Sequence, residues 1–197
     1  MHKELPTDGS LMMSTLSTAK MTSEQFLMMG EDPPGVRFEL VNGEIVVSPS
    51  PNSQHSAAVV NLVKLLGGYI DEHNLGQLLI ELDTVLSGNT TRRPDLLFVS
   101  RARAKIVREV VHGAPDLCIE VISPTSATVD RVDKFALYAQ SGVKYYWLID
   151  PHAQMIEAFS LKAGKYVLAV MARGTETVHL PPFPGLSISL KRVWAKS

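Results

Sequence analysis

One cysteine, Cys118, stands in 197 residues. A single thiol excludes an internal disulfide framework and suits a reducing compartment, so a cytoplasmic setting is expected. Its place in an apolar strand pattern makes it a core filler before a nucleophile. An excess of either charge is also missing, since 19 Lys and Arg face 20 Asp and Glu for a formal net charge of -1. No global field advertises a polyanionic partner, and nucleic acid would have to be held by a local basic patch or through metal ions. No apolar run reaches the roughly 20 residues of a membrane span, so no membrane partner is expected. Residues 1–20 have neither a sustained apolar stretch nor a small-residue cleavage site, and read as a poorly ordered tail rather than a signal peptide. Internal repeats, low-complexity tracts and compositional breaks are absent. Residues 21–197 therefore read as one domain, long enough for a sizeable core.

What is present is a mixture of helix and strand signals. Thr22-Ser23-Glu24-Gln25 has the form of a capping box and predicts a short helix over 23–29. Arg37 to Ser48 reads as a hairpin around Asn42-Gly43, residues that accept the positive φ of a type I′ turn. Ser53 to Asn74 is the main helix, with Val59, Leu62, Val63, Leu66 and Ile70 on one face. Strands are expected over 78–86, 95–99 and 117–122, with a short basic helix over 101–110 carrying Arg101, Arg103, Lys105 and Arg108. A second helix over 128–141 should bury Val132, Phe135, Ala136 and Ala139 and end at Gly142. Further strands follow over 144–150, 155–161, 166–172 and 186–190. The order predicts a mixed sheet with helices packed on it, an α/β (α+β) fold.

The chemistry concentrates between Pro94 and Pro124. Asp95 opens one apolar strand and Glu120 lies near the end of the next, inside LCIEVI. An isolated ionised carboxylate in such surroundings is costly to desolvate, so it is neutral, paired or metal-bound. If the two strands pair antiparallel, both carboxylates reach one edge of the sheet on one face. They would then repel and raise a pKa unless a cation sits between them. A hard divalent ion with oxygen ligands answers this, and Mg²⁺ uses one or two carboxylates, waters and substrate phosphates. Asp130, Lys134 and Tyr138 are spaced by four along the next helix and line one face. Facing that edge, Lys134 could orient a water or offset charge on a phosphate, as metal-assisted attack on a phosphodiester requires.

These residues resemble the PD-(D/E)XK nuclease superfamily and, more closely, the Uma family of restriction-endonuclease-like proteins. RFELVNGEIVVSPSPNSQHS, RRPDLLFVS, GAPDLCIEVISPTS and DRVDKFALYAQSGVKYYWLIDP carry the resemblance, over about 21–161. It implies a restriction-endonuclease-like αβββαβ core with an N-terminal hairpin and C-terminal strands. It also implies a metal-dependent endonuclease using Mg²⁺ (or Mn²⁺) on nucleic acid, with DNA the expected substrate. By the resemblance Asp95 and Glu120 match the acidic metal pair and Glu39 an early glutamate. The superfamily lysine two residues after the glutamate is replaced by Ile122, and the resemblance assigns its role to Lys134.

Each residue also has a plainer reading. Asp95 could be a strand-entry cap, Glu120 a buried partner of Arg92 or Arg93, and Lys134 an exposed partner of Asp130. His55, at the start of the long helix, and Arg93 are candidate nucleic-acid contacts, although a helix-start histidine is more often solvated. Asp83 could face the same edge. Tyr138 reads as packing, and the Arg101–Arg108 cluster as a solvated face. A protein that keeps this fold but only binds or assembles is the alternative that Ile122 favours. A homodimer is expected, since cutting two strands needs two sites.

Overall fold

The computed structural model describes residues 20–49, 51–123 and 126–195. The tail expected over 1–20 lies outside these residues except for Lys20. The elements run α1 (Ser23–Leu27), β1 (Val36–Val41), β2 (Glu44–Pro49), α2 (Ser53–Glu72), β3 (Gly76–Ile80), β4 (Thr84–Ser87), β5 (Thr90–Arg92) and β6 (Leu96–Ser100). A 3₁₀ turn (Arg101–Ile106), β7 (Val111–His112), β8 (Leu117–Val121), a π-helical turn (Val129–Lys134), α3 (Phe135–Ser141) and β9 (Tyr145–Asp150) follow. The chain then forms β10 (Met155–Lys162), β11 (Lys165–Arg173), β12 (Thr177–Leu180), β13 (Phe183–Ser189) and α4 (Leu190–Val193).

The central sheet has six strands in the order β11-β10-β9-β8-β6-β3. Only β8 and β9 within it are parallel, because α3 makes the crossover between them. The expected αβββαβ core is α2, β3, β6, β8, α3 and β9, with β3 at the sheet's edge. One face packs on α2 through Leu62, Leu66 and Ile70 against Leu96, Phe98, Leu117 and Ile119. Each of those aliphatic side chains contributes about 1.5–3 kcal/mol on burial. The opposite face carries Cys118, Ile122, Tyr146 and Leu148 against Tyr138 of α3. Further along that face, Leu97 and Val99 of β6 meet Val111 beneath a second, five-stranded sheet ordered β2-β1-β5-β4-β7.

Several expectations are corrected. The strand over 78–86 is two strands in two sheets. The chain breaks at Glu81, whose φ is +46°, and crosses from β3 to β4. The basic segment 101–110 forms only a 3₁₀ turn. The hairpin holds as expected, with Asn42 at φ +52° and Gly43 at φ +82°. A Cβ on Gly43 would stand 2.3 Å from the Lys20 Cβ, so this position needs glycine twice over. The largest correction is the face of the second helix. Val132 is 58% exposed and Ala136 is exposed, whereas Asp130, Lys134 and Tyr138 are buried. Val132 and Ala136 of the expected stripe face outward, Phe135 packs against Tyr146, Phe159 and Tyr166, and the polar spacing faces in.

Candidate active site

β6 and β8 pair antiparallel, and their last paired residues are Leu96 and Ile119. One step further sets Asp95 opposite Glu120 on the same face, at the open end of the strand pair. Two steps further sets Pro94 opposite Val121. Proline has no N–H to continue the ladder. The Val121 N–H instead donates to Asp95 Oδ2 at 2.7 Å. The Pro94-Asp95 pair thus ends the ladder and turns its first free donor onto a carboxylate.

A cleft of about 480 Å³ opens here, with Arg37, Glu39, His55, Asp95, Glu120 and Lys134 on its walls. Asp95 Oδ2 accepts a second bond from His55 Nε2 at 3.0 Å, and Oδ1 accepts from Arg37 at 3.2 Å. His55 is the third residue of α2 and its backbone N–H is capped by the Asn52 side chain at 3.0 Å. Its Nδ1 is buried and has no hydrogen-bond partner among the described residues. Glu120 accepts from Lys134 Nζ at 2.8 Å and from the Tyr138 hydroxyl at 2.7 Å. Lys134 Nζ also lies 3.0 Å from Asp130 Oδ1, an ion pair off the hydrogen-bonding direction. Glu39 accepts from Arg92 at 3.0 Å and from the Arg93 backbone N–H at 2.8 Å.

The electrostatics are unequal. Burial works against the charged form of both carboxylates, yet Asp95 stays below its ordinary range because His55, Lys134 and the Val121 N–H favour its anion. Glu120 is pushed up to about 8, first by burial and then by Asp95, Asp130 and Glu39, with Lys134 opposing. Those same carboxylates hold Lys134 firmly protonated despite its burial. Among the described residues, four buried carboxylates, Glu39, Asp95, Glu120 and Asp130, converge on Arg37, Arg92 and Lys134, with His55 also paired to Asp95. Arg37 is moreover shared with Glu81.

The donor set fits a hard divalent cation: oxygen ligands, carboxylates crowded against one another and an open cleft. Among the described residues no group of three or more His, Cys, Asp or Glu side chains is arranged to hold a metal. The fit is therefore to a carboxylate pair completed by water and substrate oxygens, not to a closed cage. Glu39 is buried rather than exposed, and both its oxygens are taken by Arg92 and Arg93.

Arg93 and Asp83 stand away from the cleft. The Arg93 guanidinium bonds Asp83 at 2.8 and 3.1 Å and also Asp32, and all three line a separate, smaller cavity. The Arg101–Arg108 cluster begins at the far end of β6, roughly 16 Å along the strand from Asp95. Ile122 is buried on the Glu120 face beside Tyr138, so the position two after the glutamate is filled by packing against α3. Two members of the site were not singled out from sequence, Arg37 and Tyr138 as a donor, while Arg92, read as a partner for Glu120, pairs with Glu39 instead. Arg37 had a signal, since it lies two residues before Glu39 on a strand and so shares its face.

Comparison with known proteins bears on the family and the fold. The model of the Uma2 family, described as "Putative restriction endonuclease", matches residues 23–191, and the chain belongs to that family. Among solved structures, a "putative nuclease belonging to DUF820" from Anabaena variabilis ATCC 29413 superposes with a TM-score of 0.74 at 22% identity. The match covers 88% of this chain and 97% of that one, and shows that the restriction-endonuclease-like fold is shared. The type IIG restriction endonuclease BpuSI gives a TM-score of 0.38 at 15% identity, over 66% of this chain and 15% of that one, too remote for argument. No curated protein matches. No helix among the described residues is long and apolar enough to cross a membrane.

Proposed function

We propose that the protein is a divalent-metal-dependent endonuclease that hydrolyses phosphodiester bonds of nucleic acid, with DNA the favoured substrate. The observation that carries this reading is the convergence of Asp95 and Glu120 from neighbouring strands in one open cleft. Membership of the family supports the same reaction class. Mg²⁺ or Mn²⁺, when bound by this pair, supplies Lewis-acid activation of water and of the phosphoryl oxygen.

The chain's own residues do the rest. His55 and the Val121 N–H fix Asp95 Oδ2, so the carboxylate cannot rotate away. Tyr138 fixes one oxygen of Glu120 and Lys134 the other. Lys134, held protonated, keeps its charge where negative charge develops at the phosphate. It fills from the helix the role that a lysine at Ile122 would fill from the strand. Glu39 lines the same cleft and, like the pair, already holds protein donors on both oxygens. Its contribution is to help hold Lys134 charged, with Arg92 holding Glu39 in turn. A symmetric homodimer would place two such clefts on a duplex.

One observation favours a second reading, a nuclease-fold module that binds without cutting. Every oxygen of Asp95 and Glu120 already has a protein donor, so a cation enters in competition with those donors. Calorimetric titration of Mg²⁺ and Mn²⁺ into wild type and Glu120→Gln, with plasmid nicking on the same samples, separates the two. Metal binding and nicking by wild type alone supports the nuclease. Metal binding without cleavage of any DNA or RNA offered supports the module. Absence of metal binding, with or without nucleic acid, makes the acidic pair structural.

A further inference from the structure

Arg37 lies in the cleft with a hold on Asp95 that is weak on one side and disposable on the other. On β1 it shares a strand face with Glu39. Its guanidinium forks between two acids, Asp95 Oδ1 at 3.2 Å and the Glu81 carboxylate. Asp95 Oδ2 receives two donors at 2.7 and 3.0 Å, but among the described residues Oδ1 has Arg37 alone. A distance of 3.2 Å is long for a charge-assisted bond. Oδ1 is therefore the oxygen that a cation can claim at least loss. The other partner, Glu81, is 43% exposed, and an ion pair so open to water holds its arginine weakly.

A divalent ion on the acidic pair and the Arg37 guanidinium on Asp95 are like charges contending for one carboxylate. Released from Asp95, the guanidinium stays anchored on β1 and remains in the cleft. Its planar fork matches two oxygens of a phosphate better than it matches one carboxylate oxygen. We infer that Arg37 is a phosphate-binding residue kept in place by Asp95: it neutralises the carboxylate while no metal is bound, and moves to a non-bridging oxygen of the substrate phosphodiester when metal takes its place. This rests on the nuclease reading above and adds to it a named substrate contact. Metal and Arg37 then compete for Asp95, whereas metal and nucleic acid reinforce each other.

The test uses Mg²⁺ alone by calorimetry, and a short labelled DNA duplex by fluorescence anisotropy in Ca²⁺. Both are applied to wild type, Arg37→Met and Arg37→Lys. Arg37→Met should bind Mg²⁺ about tenfold more tightly and duplex about tenfold more weakly than wild type, one factor of ten in each constant. Its plot of log affinity against log salt should also be shallower by about one phosphate contact. Arg37→Lys, which keeps a charge on Asp95 without the fork, should hold Mg²⁺ near the wild-type value yet lose duplex affinity. It also decides the matter if Arg37→Met does not fold. Wild type that binds Mg²⁺, with variants unchanged in duplex affinity and salt slope, overturns this inference while leaving the nuclease reading intact. Wild type that binds no Mg²⁺ overturns both.

Discussion

Strand β8 is bracketed by two acids, Asp116 just before its start and Glu120 near its end, and each is bonded to a lysine. At Asp116, the Ser100 N–H donates at 2.9 Å and Lys144 at 3.0 Å, and Arg103 lies 3.2 Å away. Those donors outweigh burial and hold the carboxyl below its ordinary range. At Glu120, burial comes first, one lysine then serves several acids, and the pKa rises to about 8. The two ends look alike in sequence, an acid in an apolar run with a lysine downstream. They differ in how many carboxylates share each cation. Asp116 is a satisfied structural joint, whereas Glu120 shares its lysine with other acids. The difference shows why a candidate site is better identified from carboxylates that crowd one another than from carboxylates alone.

The largest effect should come from removing the shared cation. Lys134→Ala leaves Glu120 and Asp130 buried without it, and should cost about 3–5 kcal/mol of stability. At the scale of this domain the midpoint falls by roughly 10 °C in thermal unfolding. Lys144→Ala, at the other end, should cost less than about 1 kcal/mol because Lys144 is 58% exposed and Asp116 keeps its other donors. Equal losses for the two lysines would break the comparison.

Next come the acids themselves, whose pH dependences should run in opposite senses. Glu120 has a folded pKa raised from 4.5 to about 8. The folded state binds its proton more tightly, so its stabilising contribution is complete below pH 4.5 and is lost as pH rises towards 8. Asp116 has a folded pKa below 3.8. Its contribution is complete above 3.8 and is lost as pH falls through the lowered value. Thermal unfolding across this range should show Glu120→Gln flattening the alkaline arm and Asp116→Asn the acid arm. At neutral pH, Asp116→Asn should cost about 1–2 kcal/mol and Glu120→Gln under about 1 kcal/mol, since Gln mimics the protonated acid. A costlier Glu120→Gln at neutral pH would show the carboxylate to be ionised and satisfied.

Tyr138→Phe removes the second donor to Glu120 and should cost about 1 kcal/mol with the fold intact. The smallest effect belongs to Arg101→Gln and Lys105→Gln, exposed at the far end of β6. Each should change stability by under about 0.5 kcal/mol and leave any nicking at the cleft unchanged. Loss of nicking there would extend the functional surface to the far end of the sheet.

Much of this was legible in the chain. The hairpin declared itself through Asn42-Gly43, α2 through its apolar stripe, and the acidic pair through two carboxylates in strands that had to neighbour each other. The polar spacing of Asp130, Lys134 and Tyr138 was visible too, but hydrophobicity alone put Val132 and Ala136 on the buried side, where they are exposed. What turned the helix was pairing across space: Glu120 at the sheet edge offers Lys134 and Tyr138 more than water does, and no single-chain pattern contains that partner. The break at Glu81 was hidden for a related reason. An exposed non-glycine residue at positive φ carries no compositional mark, and what the chain gains is a crossing between two sheets. Arg92 and Glu39 found each other across 53 positions, a separation that periodicity does not span.

Lys134 is the final residue of the π-helical turn Val129–Lys134, a wide turn that holds one residue more than an α-helical path would. Deleting a residue from it would close the turn into ordinary α-helix and swing Asp130 by about 100° relative to Lys134 and Tyr138. A length change there is a rotation of one ligand wall against the other. Among relatives, the residue count between β8 and α3 would then set which acids share the lysine, a property carried by spacing rather than by the identity of any side chain.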